Sequence, residues 1–266
     1  MARAGALGYS ALALTDECSV AGVVRAHTEA QKLGLKLLPG AEFAVPDSAT
    51  GICFTVIALA HNLAGWGNLC EFITLARRAA PKGQYQVCWP DKHWAMLGGC
   101  EVLLVLPLAL NFETAYAICT AAKSIFGSSL WLTVELMLEP MDALLQCKLE
   151  QLAKLTGVAL VASGNVHMHV RSRKPLQDVI TAVRQGVPVS DCGFALQLNA
   201  ETHLRSRERL GRLYRPGLLA ATLTLAARCS FSLDELRYQY PVETVLPGLS
   251  PAQTLRRLTL EGASQG

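Results

Sequence analysis

Short apolar runs alternate with helix-like stretches along this chain, and acidic or histidine residues follow the ends of several runs. Ser10 to Leu14 leads into Thr15-Asp16-Glu17, and Lys36 to Leu38 into Pro39-Gly40-Ala41-Glu42. Ile52 to Leu59 leads to His61, and Val158 to Ala162 to the segment Ser163 through His169. Strands that alternate with crossover helices form a parallel sheet, and the groups beyond their carboxyl ends gather at one mouth. The expected architecture is α/β, with the chemistry sought at that mouth.

The helices carry their own punctuation. Ala11 to Leu14 precedes a helix with Val20, Val23, Val24, His27 and Ala30 on its apolar face, Ser19 as its cap and Gly34 as its stop. The alternation continues with strand 52–59 and helix 68–79, strand 101–106 and helix 114–126, then strand 131–137 and helix 142–155. Strand 158–162 precedes a helix from Pro175 to Arg184, started by its proline and stopped by Gly186. Residues 80–91, with Pro81, Gly83 and Pro90, read as an inserted loop or short hairpin. Arg205, Arg207, Arg209, Arg212 and Arg215 form a basic run before an apolar helix at 218–228. A solvated helix face is the simplest reading of that run, with a nucleic-acid or interdomain contact as the alternative. Residues 1–235 form the expected domain; 238–251 reads as a linker out of it and 251–261 as a last helix.

With 266 residues, 51% hydrophobic and 17% charged, the chain can bury one large core. A net charge of +3 signals nucleic-acid binding only if the basic residues cluster on one face. Nine cysteines without a Cys-x-x-Cys pair fit reduced thiols, with Cys53, Cys119 and Cys147 packed as small hydrophobes, and point to the cytoplasm. The first residues hold no signal-peptide apolar segment. Val102 to Leu110, the longest apolar stretch, is too short to span a bilayer and contains Pro107. No membrane partner is expected.

Without analogy, Asp16, Glu17, Glu42, His61, His167 and His169 are oxygen and imidazole donors placed after strands, a mix that suits zinc, manganese or iron. Metals held this way polarise phosphoryl oxygens and activate water. Each residue has a plainer reading beside this one. Asp16 can cap the following helix, Glu17 and Glu42 can be solvated loop carboxylates, and His61 a hydrogen-bonded loop histidine.

Read as words, the segments are more specific. Residues 7–27, from Leu7-Gly8-Tyr9 through Leu14-Thr15-Asp16-Glu17 to His27, resemble the second motif of the PHP (polymerase and histidinol phosphatase) domain in error-prone bacterial DNA polymerases of the polymerase III α-subunit type. The resemblance continues through Pro39-Gly40-Ala41-Glu42-Phe43, through 65–78, and through Val166-His167-Met168-His169-Val170-Arg171-Ser172-Arg173-Lys174-Pro175-Leu176-Gln177. It covers nearly the whole chain, and residues 236–266 resemble the passage into the polymerase palm. The resemblance implies a distorted (β/α)7 barrel with a metal-binding mouth, joined in the parent protein to palm, thumb and fingers. The parent family copies damaged DNA during induced mutagenesis, with magnesium in its palm, on DNA and with translesion accessory proteins as partners. Asp16, Glu42 and His167 match the acidic and histidine positions of the second, third and fourth motifs.

Departures from the family pattern weaken the metal reading. Metal-competent members open with His-x-His on a first strand, but no histidine precedes His27, so that strand is expected to be missing. Glu17 stands where they have histidine, and Asn165 where they have aspartate. Asparagine offers no anionic oxygen, so a cluster of Asp16, Glu17, Glu42, His61 and His167 would be degenerate. The favoured reading is a non-catalytic structural and interaction module. Its rival is an active metal-dependent phosphoesterase or proofreading nuclease, with an unrelated hydrolase on the same kind of barrel as a third. A barrel lacking a strand would expose two edges and favour association of the isolated chain.

Overall fold

The computed structural model describes residues 1–48, 50–237 and 245–264. It contains two compact units, Met1–Glu235 and Leu236–Gly266. The first begins with helix α1 (Ala2–Ala6), strand β1 (Ala11–Glu17), α2 (Val23–Leu33), β2 (Lys36–Pro46) and β3 (Cys53–Ala60). It continues through α3 (Leu63–Arg78), β4 (Cys100–Val105), α4 (Phe112–Phe126), β5 (Leu130–Glu135), α5 (Asp142–Thr156) and β6 (Ala159–Ser163). Helices α6 (Lys174–Gln185), α7 (Arg207–Leu213) and α8 (Pro216–Arg228) complete it. The described part of the second unit contains α9 (Pro251–Ala263), started by a capping box between Ser250 and Gln253. Half of the expected linker, residues 238–244, lies outside the described residues.

All six strands join one sheet in chain order, β1 to β6, an incompletely closed arc of the α/β barrel. The expectation of a wholly parallel sheet is corrected at one strand. β1–β2, β4–β5 and β5–β6 are parallel, but β3 is antiparallel to both neighbours. The cause is local. β2 does not end at Leu38 but runs on to Pro46, leaving only residues 47–52 before β3, and so short a connection can join only antiparallel neighbours.

The two faces of the sheet have different covers. Phe43, Val56, Val102, Leu104, Leu132 and Val134 meet Leu69 and Phe72 of α3, Ile118 and Cys119 of α4, and Leu149 and Leu152 of α5. The alternate residues Leu38, Ile57, Leu59, Leu103, Trp131 and Val161 form the inner face, packed against Leu225 and Cys229 at the end of α8. Residues 216–235, which include α8, are apolar enough by length and composition to cross a membrane. Leu218 and Leu225 of α8 are buried in core clusters, although only 28% of that apolar window is buried. Cys119 is buried as expected, whereas Cys53 and Cys147 are exposed.

The expectation of two bare strand edges also needs correction. Residues 201–205 are buried, and Met168 pairs with His203 in a parallel bridge. The His167 and Met168 amides donate to the Thr202 carbonyl (2.9 and 3.2 Å), and the Leu204 amide to the Met168 carbonyl (3.1 Å). On its other side, the Tyr9 hydroxyl donates to the Arg205 carbonyl at 2.7 Å, and Leu204 packs with Ala4, Leu12 and Leu35. This extended segment lies between the chain after β6 and the chain before β1.

One ionic knot ties the inner face to α8. Glu101, 0% exposed, accepts from Trp131 Nε1 at 2.7 Å and pairs with Arg228 Nε at 2.9 Å and His61 Nδ1 at 3.1 Å. The Arg228 guanidinium also lies over the Trp131 ring. Removing the carboxylate strands three donors at a buried point. Glu101→Ala is expected to cost about 3 kcal/mol in urea unfolding, because breaking one side of a buried pair leaves its partners uncompensated; a loss near zero would show that solvent takes over its partners.

Candidate carboxylate rim

The carboxylates expected at the mouth arrive by strand register. Glu17 at the end of β1 is the direct partner of Glu42 in β2. Strand alternation sends Glu17 to the inner face, two-residue steps from Ala11, and Glu42 likewise from Leu38. Asp16, one residue earlier, turns the other way. Its Oδ2 lies 3.1 Å from where a Cβ on Gly22 would stand, at the start of α2, so it is a helix-side group rather than a member of the inner set.

Glu17 is held from two sides. Its Oε1 accepts from the Tyr85 hydroxyl at 2.9 Å, and its Oε2 is 3.7 Å from Arg184 Nη1 on α6. Burial raises the Tyr85 hydroxyl above its ordinary pKa, so it stays a donor. Arg77 donates from Nε to the Cys18 carbonyl and from Nη2 to the Glu17 carbonyl, with its guanidinium over the Tyr85 ring. That grip holds a tight turn in which Cys18 has φ of +46°.

Burial, followed by the charges of Glu17, Glu135 and Asp16, pushes the Glu42 carboxyl up to about 7, against the opposing pull of Arg184. Glu135 ends β5, two strands beyond β2's neighbour β3 in the sheet, so its influence on Glu42 reflects the inward curl of the arc. Sequence reasoning missed Glu135 and Arg184. Glu135 obeys the same rule as Glu17, an acid at a strand's carboxyl end, but it lies inside a strand expected to run on to residue 137. Burial raises its carboxyl too, opposed by the Ser163 hydroxyl, which donates at 3.0 Å, and by Asn165.

His167 reaches this neighbourhood from the turn after β6. Its Nε2 lies 2.9 Å from Asn165 Oδ1, and burial together with the Arg184 charge lowers its pKa, favouring the neutral ring. Asn165 has φ of +41°, a backbone state that asparagine tolerates better than most residues. His61 does not join. Because β3 runs backwards, its carboxyl end lies beside the amino end of β4, where His61 pairs with Glu101.

A shared metal centre does not fit this donor set. Among the described residues, no three His, Cys, Asp or Glu side chains converge closely enough to hold an ion. Glu17 is engaged by Tyr85 and Arg184, Asp16 faces α2, and His61 sits at the far end of the sheet. Four of the five arginines of the basic run are likewise engaged. Arg171, Arg205 and Arg209 meet the buried Glu201, Arg212 meets Glu208, and Arg215 meets Glu150 at 3.0 Å.

Comparison with known proteins adds to this geometry. Residues 1–106 match the PHP domain family. The chain is 44% identical over 265 residues to an error-prone DNA polymerase of Methylococcus capsulatus, covering 100% of this chain and 24% of the relative. It is 48% identical over 262 residues to one of Dechloromonas aromatica, covering 98% and 25%. The chain thus spans about a quarter of the length of the curated relatives it matches. A crystal structure assigned as a metal-dependent phosphoesterase from Bifidobacterium adolescentis covers 61% of this chain and 79% of its own, with a TM-score of 0.42 and 13% identity. That likeness is too slight to transfer either a metal or a reaction.

The raised Glu42 carboxyl makes stability depend on pH with a defined sign. A proton on Glu42 favours the folded state, fully below its ordinary pKa of 4.5, and the advantage drains away as pH rises to about 7. Glu42→Gln mimics the protonated side chain at every pH. The variant is expected to match the native chain near about pH 4 and to exceed it by about 2–3 kcal/mol near about pH 8. Denaturant unfolding at both pH values checks this; a destabilised variant at the higher pH would mean that ionised Glu42 has a favourable partner.

Proposed function

We propose that this chain, whose residues 1–106 match the PHP domain family and which matches error-prone DNA polymerases over about a quarter of their length, is the non-catalytic PHP module of such a polymerase. The observation that carries the second half of this reading is the occupation of the rim by its own neighbours. Glu17 binds Tyr85 and faces Arg184, Glu135 takes the Ser163 hydroxyl, and His167 pairs with Asn165. A phosphoesterase needs open metal positions and an activated water, and these contacts consume the groups that would supply them.

In this reading the module supports palm, thumb and fingers, which copy damaged DNA with magnesium and bring accessory proteins to the lesion, in the cytoplasm. Residues 1–235 are the PHP unit and 236–266 the start of the palm region. Template-directed nucleotide addition needs acidic residues positioned by the palm, so this polypeptide alone should extend no primer.

Two assays on the purified chain test the proposal together. With zinc, manganese or iron supplied, neither primer extension nor hydrolysis of single-stranded DNA or of a small phosphodiester is expected. Hydrolysis that disappears in His167→Ala would establish the phosphoesterase reading instead, and template-directed extension would overturn the assignment of synthesis to the palm.

A further inference from the structure

We infer that the outward face of α6 is a docking surface for the polymerase body of the parent polypeptide, a reading that rests on the module assignment above. Helix α6 is inside out. A surface helix ordinarily turns its apolar stripe to the core and its charges to water. Here Lys174, Asp178 and Ala182, at four-residue spacing, face the domain, with the first two joined in an ion pair of 2.5 Å, both largely shielded. Leu176, Val179, Ile180 and Val183, spaced as i, i+3, i+4 and i+7, form a single stripe on the solvent side, where Val183 is 77% exposed. Beyond the helix, Val187 is exposed and Phe194 is fully so. Monomeric domains seldom leave such a stripe uncovered unless something packs on it.

Three observations select the occupant. No charged residue interrupts the stripe, and depletion of charge at the centre marks permanent interfaces more than passing encounters. The flanks are basic: residues 169–191, which hold the helix, carry four Lys or Arg against two Asp or Glu. Arg173 and Arg184 stand at the two ends of the helix. A two-fold pairing with a second copy would set these like charges against each other, whereas a surface with an apolar centre and an acidic rim would complement them. Finally, the relatives are about four times as long as this chain, so most of their polypeptide is tethered beside the module at high effective concentration.

The test compares the 266-residue chain with a full-length polymerase that carries it in place of the matching quarter of the Dechloromonas aromatica relative. Hydrogen exchange of the α6 amides is expected to be at least about tenfold slower in the full-length protein. Ile180→Asp combined with Val183→Asp should abolish that slowing, yet leave the melting of the 266-residue chain unchanged because both side chains are exposed. Equal α6 exchange in the two unmodified proteins overturns the inference. So does a 266-residue chain that sediments as a dimer and becomes a monomer in the double variant, which assigns the face to a second copy. A full-length protein whose α6 is protected but which extends no primer would sink the polymerase reading while leaving the docking face standing.

Discussion

The connection from Pro46 to Cys53 constrains everything downstream of it. Residues 47–52 cannot carry the chain back across the sheet, so β3 must run against β2, and the next strand, β4, then resumes the direction of β1 and β2. One reversed strand divides the titratable groups between two ends of the molecule. Glu17 and Glu135 stay at the carboxyl ends of forward strands, with Glu42 beside Glu17 in β2, while His61 is carried to the opposite end. There it completes the Glu101 knot that fastens α8 to the inner face. Rim chemistry and core stability are consequences of the same turn.

Much of this was legible in the residues. The helices after β1, β4, β5 and β6 begin and end within a few residues of their expected bounds, because caps such as Asn111 and stops such as Gly34, Gly157 and Gly186 act locally. The extension of β2 was missed. Pro39 and Gly40 look like a turn, yet Ala41-Glu42-Phe43-Ala44-Val45 alternates between buried and less buried positions as a strand does. That alternation carries β2 to within six residues of β3, a connection that implies the reversal of β3 and takes His61 away from the rim.

Other features depend on tertiary placement that no local pattern encodes. Asp16 and Glu17 are adjacent in sequence, and only the inner-face assignment of Ala11 and Leu38 tells which of them faces Glu42. Arg184 belongs to a helix ordered far along the chain, and only the curl of the sheet brings it to Glu17. Similarly, the buried segment 201–205 reads as part of a basic run, although it lies beside the chain after β6 and hydrogen-bonds to it. Electrostatics follow from these placements. Burial and the neighbouring carboxylates raise the Glu42 carboxyl, and its protonated state relieves repulsion where a metal centre would need charge.

The rim is closed by its own side chains. Elemental analysis of the chain, purified without chelators and then dialysed against zinc, manganese or iron, tests it most directly. The account predicts metal well below one equivalent, unchanged in His167→Ala. One or more tightly held equivalents that are lost in that variant would contradict it.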